Sequence, residues 1–154
     1  MAIYIVQHGK CLPKSEDPEK GLNSEGKLES ARIADVARGY AVKVTAIFHS
    51  GKKRAHETAE IFAARLDPEK GIQSRGGMNP MDDVSAFADQ LPLNQNIMLV
   101  GHLPFLERLI SLLVCGDADR VVFKLQNSGI VCIDEDSRSG APAIHWALMP
   151  HIGN

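Results

Sequence analysis

Three histidines and an arginine lie at positions in the sequence from which a catalytic site could be formed. His8, His49 and His102 each follow a short apolar run, and Arg54 lies a few residues beyond His49. A neutral imidazole can attack phosphorus and carry the phosphoryl group as a covalent intermediate. A guanidinium adds a planar, permanently charged fork that matches phosphoryl oxygens. These residue types therefore favour phosphoryl chemistry, provided that the fold brings them together.

The elements that must position them alternate along the chain. Short apolar runs, typical of strands, end at positions 6, 48 and 100, and a further short run surrounds position 72. Between them, helical periodicity predicts helices over residues 23–39, 54–66, 81–91 and 103–114. Strands are also predicted over residues 120–125, 129–134 and 143–149. This order predicts an α/β fold with a central, mostly parallel sheet and a carboxyl-terminal antiparallel hairpin.

The helical periodicity also predicts which side chains face the core. The inward-facing residues of the three longer helices are Leu28, Ala31, Ile33, Ala34 and Ala37, then Ala55, Ala59, Ile61, Phe62 and Leu66, and finally Leu106, Leu109, Ile110 and Leu113.

Parallel strands would bring the chemical groups to one edge of the sheet. Ligands of open α/β sheets bind beyond the carboxyl ends of the strands, where His8 and His102 are expected to meet. Arg54 begins the helix after the second strand, so it is expected at the same edge. Its charge would lower the pKa of His8 and keep that imidazole neutral. His102 would then stabilise charge on a phosphoryl oxygen.

Composition narrows the class of protein. The chain has 154 residues, 44% of them hydrophobic, and 17 Lys and Arg against 19 Asp and Glu give a net charge of −2. We predict one domain over residues 1–154, with no nucleic-acid partner, because no strong positive charge is present. No apolar stretch approaches the roughly 20 residues of a membrane span. Three widely spaced cysteines and the absence of a signal-peptide pattern predict a reduced, cytoplasmic protein.

Four ordered motifs resemble a known family. The segment IYIVQHGKC is similar to its strand followed by Arg-His-Gly, and EKGLNSEGKLESA to its Leu-Thr-x-x-Gly segment. HSGKKRAHETAEIFA resembles Ser-Pro-x-x-Arg-Ala-x-Gln-Thr-Ala-Glu, and NIMLVGHLPFLERL the strand that ends in a second catalytic histidine. Trp146 and Pro150 resemble its carboxyl end. The family is the histidine phosphatase superfamily, in its small SixA-type phosphohistidine phosphatase branch.

The resemblance implies a three-layer, phosphoglycerate mutase-like sandwich and a division of labour in the site. His8 would be the nucleophile, and Arg54 and His102 would be catalytic ligands of the phosphoryl group. Gln7 and Leu103, their neighbours in the chain, complete the expected phosphate-binding set. No metal or cofactor is implied. The expected substrate is phosphohistidine on a partner protein, or a small phosphomonoester.

Two departures from the family pattern leave an alternative open. Gln7 stands where the family has arginine, and losing one charge-assisted contact would cost roughly 1.5–3 kcal/mol. Lys10, Lys52 or Lys53 could partly replace the lost charge. The general acid is also unassigned, with Asp82 and Asp83 as candidates. The chain could therefore be a phosphate- or phosphoprotein-binding module with weak or no turnover.

A third class is a metal hydrolase that uses His8, His49 and His102. No H-x-H or H-E-x-x-H spacing supports it, since His56-Glu57 lacks the second histidine.

Overall fold

The structure is a computed structural model that describes residues 1–152 and contains six strands and four helices within them. The strands are β1 Ile3–Gln7, β2 Ala46–His49, β3 Ile72–Ser74, β4 Ile97–Gly101, β5 Ile130–Glu135 and β6 Pro142–Leu148. The helices are α1 Ser24–Gly39, α2 Lys53–Leu66, α3 Val84–Ala88 and α4 Phe105–Cys115. Within that part of the chain, no helix combines the length and the apolarity that a membrane crossing requires.

All six strands form one sheet in the order β3-β2-β4-β1-β5-β6. The first four strands of that order are parallel, whereas β5 runs antiparallel to β1 and pairs with β6 as a carboxyl-terminal hairpin. The prediction of an α/β fold with a mostly parallel sheet and a closing antiparallel hairpin is confirmed.

Helices cover both faces of the sheet, which gives the predicted three layers. Alternate side chains of β1 and β4 point to opposite faces, as strand geometry requires. Ile5 and Leu99 pack in one core with α3 and α4, while Val6 and Val100 pack in a second core with α1 and α2. Because both faces of these strands are buried, their sequences are continuous apolar runs rather than alternating ones.

The segment 120–125 does not form the predicted strand. It contains strand-forming residues, but Val121 is exposed and no ladder includes it. The edge of β1 that such a strand could join is already paired with β5. The segment instead crosses the end of the sheet, where the Leu125 amide donates to the Glu107 carboxylate at 3.0 Å.

The inward face of α1 is also rotated relative to the prediction. Leu28 is 69% exposed, which contradicts its assignment to the core. The buried residues are instead Gly26, Glu29, Ser30, Ile33, Ala34 and Ala37. The helix turns its polar Glu29 and Ser30 inward because its first half packs on the loop after β1, where Gly26 approaches the main chain of Lys10.

Smaller differences concern partial burial and helix length. Four other predicted core residues are half-buried: Ala31, Ile61, Leu66 and Leu113. The helix predicted over residues 81–91 is limited to α3, Val84–Ala88, and Met81 before it is 83% exposed.

Gly26→Ala is expected to lower the free energy of unfolding by about 1–3 kcal/mol, because overpacked sites are destabilised by that amount. A Cβ at this position would collide with the carbonyl oxygen of Lys10. Gly39→Ala in the same helix is the control, since its Cβ would have no atom within 4 Å. Urea denaturation of both variants tests this, and equal stabilities would contradict the proposed close packing.

Candidate active site

The parallel pairing of β1 and β4 brings two distant histidines together. Gln7 pairs with Gly101 at the end of the ladder, and the His8 amide donates to the Gly101 carbonyl at 3.0 Å. The next residues, His8 and His102, leave the two strands side by side. Their ring centroids lie 5.0 Å apart with an interplanar angle of 51°. The structure thus joins the two histidines at the carboxyl edge of the sheet.

His8 is held in a single tautomer by its neighbour. Its Nδ1 lies 2.7 Å from the carbonyl oxygen of Gly9. A carbonyl can only accept, so Nδ1 must carry the proton, and Nε2 keeps its lone pair. Burial, opposed by this hydrogen bond but assisted by the charges of Arg54 and Lys20, lowers the pKa of His8 to about 4. Near neutral pH the ring is therefore uncharged, with Nε2 as a free nucleophile.

The main chain around His8 is anchored on two sides. The Gly9 amide donates to Thr58 Oγ1 at 2.9 Å, and that buried hydroxyl donates to the Arg54 carbonyl at 2.8 Å. On the other side, Asn127 Nδ2 donates to the His8 carbonyl at 2.9 Å. These bonds tie the end of β1 to α2 and to the segment before β5, so the imidazole is positioned by three separate parts of the chain.

His102 is more deeply buried than His8, with 2% of its surface exposed. Its Nε2 lies 2.6 Å from Ser50 Oγ, whereas its Nδ1 is buried without a hydrogen-bond partner. Burial lowers the pKa of His102 to about 3, and the nearby charges of His8, Arg54 and Lys52 act in the same direction. If Ser50 donates to Nε2, the proton of the neutral ring is on Nδ1, available to an incoming acceptor.

Arg54 lies in the first turn of α2, close enough for its charge to act on both imidazoles. Helix α2 begins after Lys52 without a side-chain cap, so its amino end has unpaired N–H groups that favour an anion. Together with Lys20 and Lys52, this arrangement makes the edge electropositive in a protein of net charge −2.

The other two lysines considered as substitutes for the family arginine are paired with carboxylates. Lys10 Nζ lies 2.7 Å from Glu25 and 3.1 Å from Glu29. Lys53 Nζ lies 2.8 Å from Asp17. Of the three lysines considered as substitutes for the family arginine, Lys52 is thus the one whose charge lowers the pKa of an imidazole, that of His102.

Gln7 and Leu103 line a cavity of about 550 Å³ that adjoins the imidazole pair. Gln7 is 9% exposed, and its Oε1 is buried without a partner. Gln7 directly precedes His8 and Leu103 directly follows His102, so this cavity lies beside the two histidines.

Asp82 and Asp83 have local structural contacts. Asp82 accepts from the Asn79 amide at 2.8 Å, and Asp83 caps α3 by accepting from the Ser85 amide at 2.9 Å. Within residues 1–152, neither carboxylate forms a hydrogen bond or ion pair with His8, Arg54 or His102. A general-acid role for either one stays a prediction.

The structure separates the histidines of the metal-hydrolase alternative. His49 Nδ1 accepts from the Gly51 amide at 3.1 Å, and its ring stacks on His56 at 4.8 Å. In the described chain, the group of possible metal ligands is Glu25, Glu29 and His151, whose ligand atoms lie within 4.8 Å of one another. The ammonium of Lys10 already contacts both of these carboxylates.

Sequence reasoning missed three residues of the site, Ser50, Thr58 and Asn127, and also Glu29, which lines the neighbouring cavity. Ser50 and Thr58 lie inside the motif that contains Arg54, so that motif was the available signal. The sequence contains no such signal for Asn127 and Glu29, since their roles depend on tertiary contacts.

Comparisons with known proteins agree with this fold and identify the family. The model of the histidine phosphatase superfamily (branch 1) matches residues 3–79. Phosphohistidine phosphatase SixA of Escherichia coli (strain K12) is 24% identical over 97% of this chain and 94% of its own. A solved structure of the protein histidine phosphatase SixA complexed with tungstate superposes with a TM-score of 0.82, at 24% identity over 97% of both chains. The alpha-ribazole phosphatase of Shigella flexneri gives a TM-score of 0.78 at 14% identity, over 100% of this chain and 99% of that one.

The neutral state of the imidazoles predicts how stability depends on pH. Both pKa values lie below the ordinary 6.5 of histidine, so folding favours the uncharged rings. This contribution is present above about pH 6.5 and is lost as the pH falls towards 4 and then 3. Between pH 7 and pH 4.5, we expect wild type to lose about 2–3 kcal/mol more stability than His102→Gln.

Urea denaturation at the two pH values measures this difference. His145→Gln is the control, because His145 is an exposed residue of β6. It should follow wild type, and an equally steep loss in His102→Gln would contradict the assignment.

Proposed function

The chain belongs to the histidine phosphatase superfamily, and on that basis we propose that it is a phosphatase whose reaction passes through a phosphohistidine at His8. The observation that carries the proposal is the position of the His8 ring, whose Nε2 is free and whose centroid lies 5.0 Å from that of the His102 ring. Burial and the nearby charge of Arg54 lower the pKa of His8, which keeps this ring uncharged. Nucleophile, oxyanion ligand and permanent charge are the three parts that phosphoryl transfer to an imidazole requires.

In the first step, the lone pair of His8 Nε2 forms a bond to phosphorus, and the bond from phosphorus to the leaving group breaks. An imidazole leaving group that is protonated at its other ring nitrogen takes that electron pair and departs as the neutral ring, whereas an alkoxide leaving group also takes a proton from water. His8 Nδ1 keeps its proton throughout, and the Gly9 carbonyl stabilises the positive charge that develops on the ring. The hydrogen bond to Gly9 therefore supports both the tautomer of the nucleophile and the charged intermediate.

His102 and Arg54 would stabilise the transferring group. The buried Nδ1 of His102 has no hydrogen-bond partner among residues 1–152, and a phosphoryl oxygen would satisfy it. A phosphoryl dianion would also reverse the local electrostatics, because it neutralises the cations that hold the histidine pKa values low. In the second step water attacks phosphorus, the bond to Nε2 breaks, and inorganic phosphate leaves with His8 restored.

The proposed substrate is phosphohistidine on a partner protein. The support is the resemblance to SixA, named as a phosphohistidine phosphatase and solved with tungstate, an oxyanion. A protonated imidazole leaves readily, so this substrate makes the smallest demand on a general acid, and Asp82 or Asp83 need not serve. A small phosphomonoester remains the second possible substrate. The three unpaired cysteines support a reducing, cytoplasmic setting as part of the proposal.

The alternative is a phosphate- or phosphoprotein-binding module without appreciable turnover. The observation that favours it is Gln7, which brings no charge and whose Oε1 is buried without a partner. Tight phosphate binding without hydrolysis would establish this alternative in place of the phosphatase.

His8→Ala is expected to lower the hydrolysis of p-nitrophenyl phosphate and of a phosphohistidine protein by more than about 1,000-fold, because the nucleophile is removed. In wild type, acid-labile, base-stable radiolabel should be trapped on His8. His145→Ala, in the exposed part of β6, is the matched control and should retain activity. Equal rates for His8→Ala and wild type would exclude the enzyme, and label on Cys11 would reassign the nucleophile.

Gln7→Arg is expected to raise kcat/KM and phosphate affinity by about 10- to 100-fold, since a guanidinium adds a charge-assisted hydrogen bond. Steady-state kinetics and phosphate titration measure the change. Gln7→Met, which keeps the length without an amide, should not show the gain. Unchanged or lower values for Gln7→Arg, with the fold intact, would show that position 7 does not contact the phosphoryl group.

A further inference from the structure

The cavity beside the imidazole pair contains two hydrogen-bond acceptors that the proposed reaction does not use. It has a volume of about 550 Å³, within the range of small-molecule sites. One acceptor is Gln7 Oε1, which is buried and unpartnered. The other is the carboxylate of Glu29, whose side chain is only 5% exposed. Carboxylates are rarely buried to this extent unless they are paired.

Two residues that line the cavity are chain neighbours of the paired histidines. Gln7 directly precedes His8, and Leu103 directly follows His102. Asn127, in the same wall, donates to the main-chain carbonyl of His8 at 2.9 Å. A group held in this cavity would therefore lie next to a phosphoryl group held by the two histidines.

The partners of Glu29 are shared or exposed, so they can be exchanged. Lys10 contacts Glu29 at 3.1 Å but lies closer to Glu25, at 2.7 Å, and can keep that partner. His151 Nε2 lies 2.8 Å from Glu29, from a side chain that is 49% exposed. Lys124 lies 3.8 Å from Glu107, so its positive charge is partly balanced by a carboxylate other than Glu29.

We infer that this cavity is a substrate subsite for an ammonium or other N–H-bearing group adjacent to the phosphoryl group, and that Glu29 is its specificity-determining residue. The substrate cation takes the place of Lys10 at Glu29, and a second N–H satisfies Gln7 Oε1. In a protein substrate, a lysine, an arginine or a second imidazole N–H near the phosphorylated position supplies this group. The inference rests on the proposed function for its placement of the phosphoryl group.

A matched pair of small substrates tests the subsite. O-phosphoethanolamine and propyl phosphate have the same length and differ by an ammonium in place of a methyl group. Wild type is expected to prefer O-phosphoethanolamine by about tenfold or more in kcat/KM, the scale of a charge-assisted contact. Glu29→Gln should reduce this preference to near unity.

Two further variants separate recognition from structural support. Glu25 contacts the same lysine from one turn earlier in α1 but is exposed, so Glu25→Gln should keep the wild-type preference. Lys10→Met removes the competing cation from Glu29, so it should raise the preference. A merely structural carboxylate would not produce opposite shifts in Glu29→Gln and Lys10→Met.

The result that overturns the inference is an equal preference in wild type and Glu29→Gln, or equal shifts in the two glutamate variants. Calorimetric binding of the same two compounds distinguishes this failure from that of the proposed function. If a phosphohistidine protein and p-nitrophenyl phosphate are also not hydrolysed, but wild type binds O-phosphoethanolamine more tightly than propyl phosphate and Glu29→Gln does not, the phosphatase is excluded and the subsite stands.

Discussion

The site depends on the hydrogen-bonded register between β1 and β4. The pairing of Gln7 with Gly101, extended by the His8 amide to the Gly101 carbonyl, fixes which residues leave the two strands together. A shift of this register by one residue would reverse the direction of every side chain in one strand. Packing prevents such a shift. The apolar runs Ile3–Val6 and Ile97–Val100 bury residues on both faces of the sheet, so the two cores must be filled in one arrangement. Packing far from the edge thus determines the 5.0 Å between the imidazoles.

The same edge is held at an electrostatic cost. Two imidazoles are kept uncharged by burial and by nearby cations, and a buried Nδ1 is left without a partner. These features weaken the free protein, and an oxyanion bound as proposed would relieve them together: it would accept from the unpartnered nitrogen and neutralise the cations. The free-energy cost of the unbound site would therefore favour binding at the place where the phosphoryl group is expected. A net charge of −2 does not oppose this, since the ammonium groups of Lys10 and Lys53 are paired with carboxylates, whereas the charges of Arg54 and Lys52 act on His102.

Much of this arrangement could be predicted from sequence because its signals are local. Apolar runs and helical periodicity define β1, β2, β4, α1, α2 and α4, and parallel strands bring their ends to one edge. The failures have tertiary causes. Residues 120–125 have strand-forming side chains, but both edges of β1 are already paired, one with β4 and the other with β5. In α1, Glu29 is buried and Leu28 is exposed, because the helix packs on the loop after β1 through Gly26. The bond from Ser50 to His102 joins residues that only the folded sheet brings together.

Glu29 connects these observations. An amphipathic helix would be more stable with a leucine on its buried face, and the sequence offers Leu28 one position away. The structure instead exposes Leu28 and buries a carboxylate together with the amide oxygen of Gln7. Replacing the family arginine by glutamine changes position 7 from a pure donor to a side chain that can also accept. Two acceptors in one cavity are complementary to donors, whereas the imidazole edge, with its cations, is complementary to acceptors. The proposed substrate therefore has opposite polarity at its two ends: an oxyanion that would lie against His8, and an N–H-bearing group that would lie against Glu29.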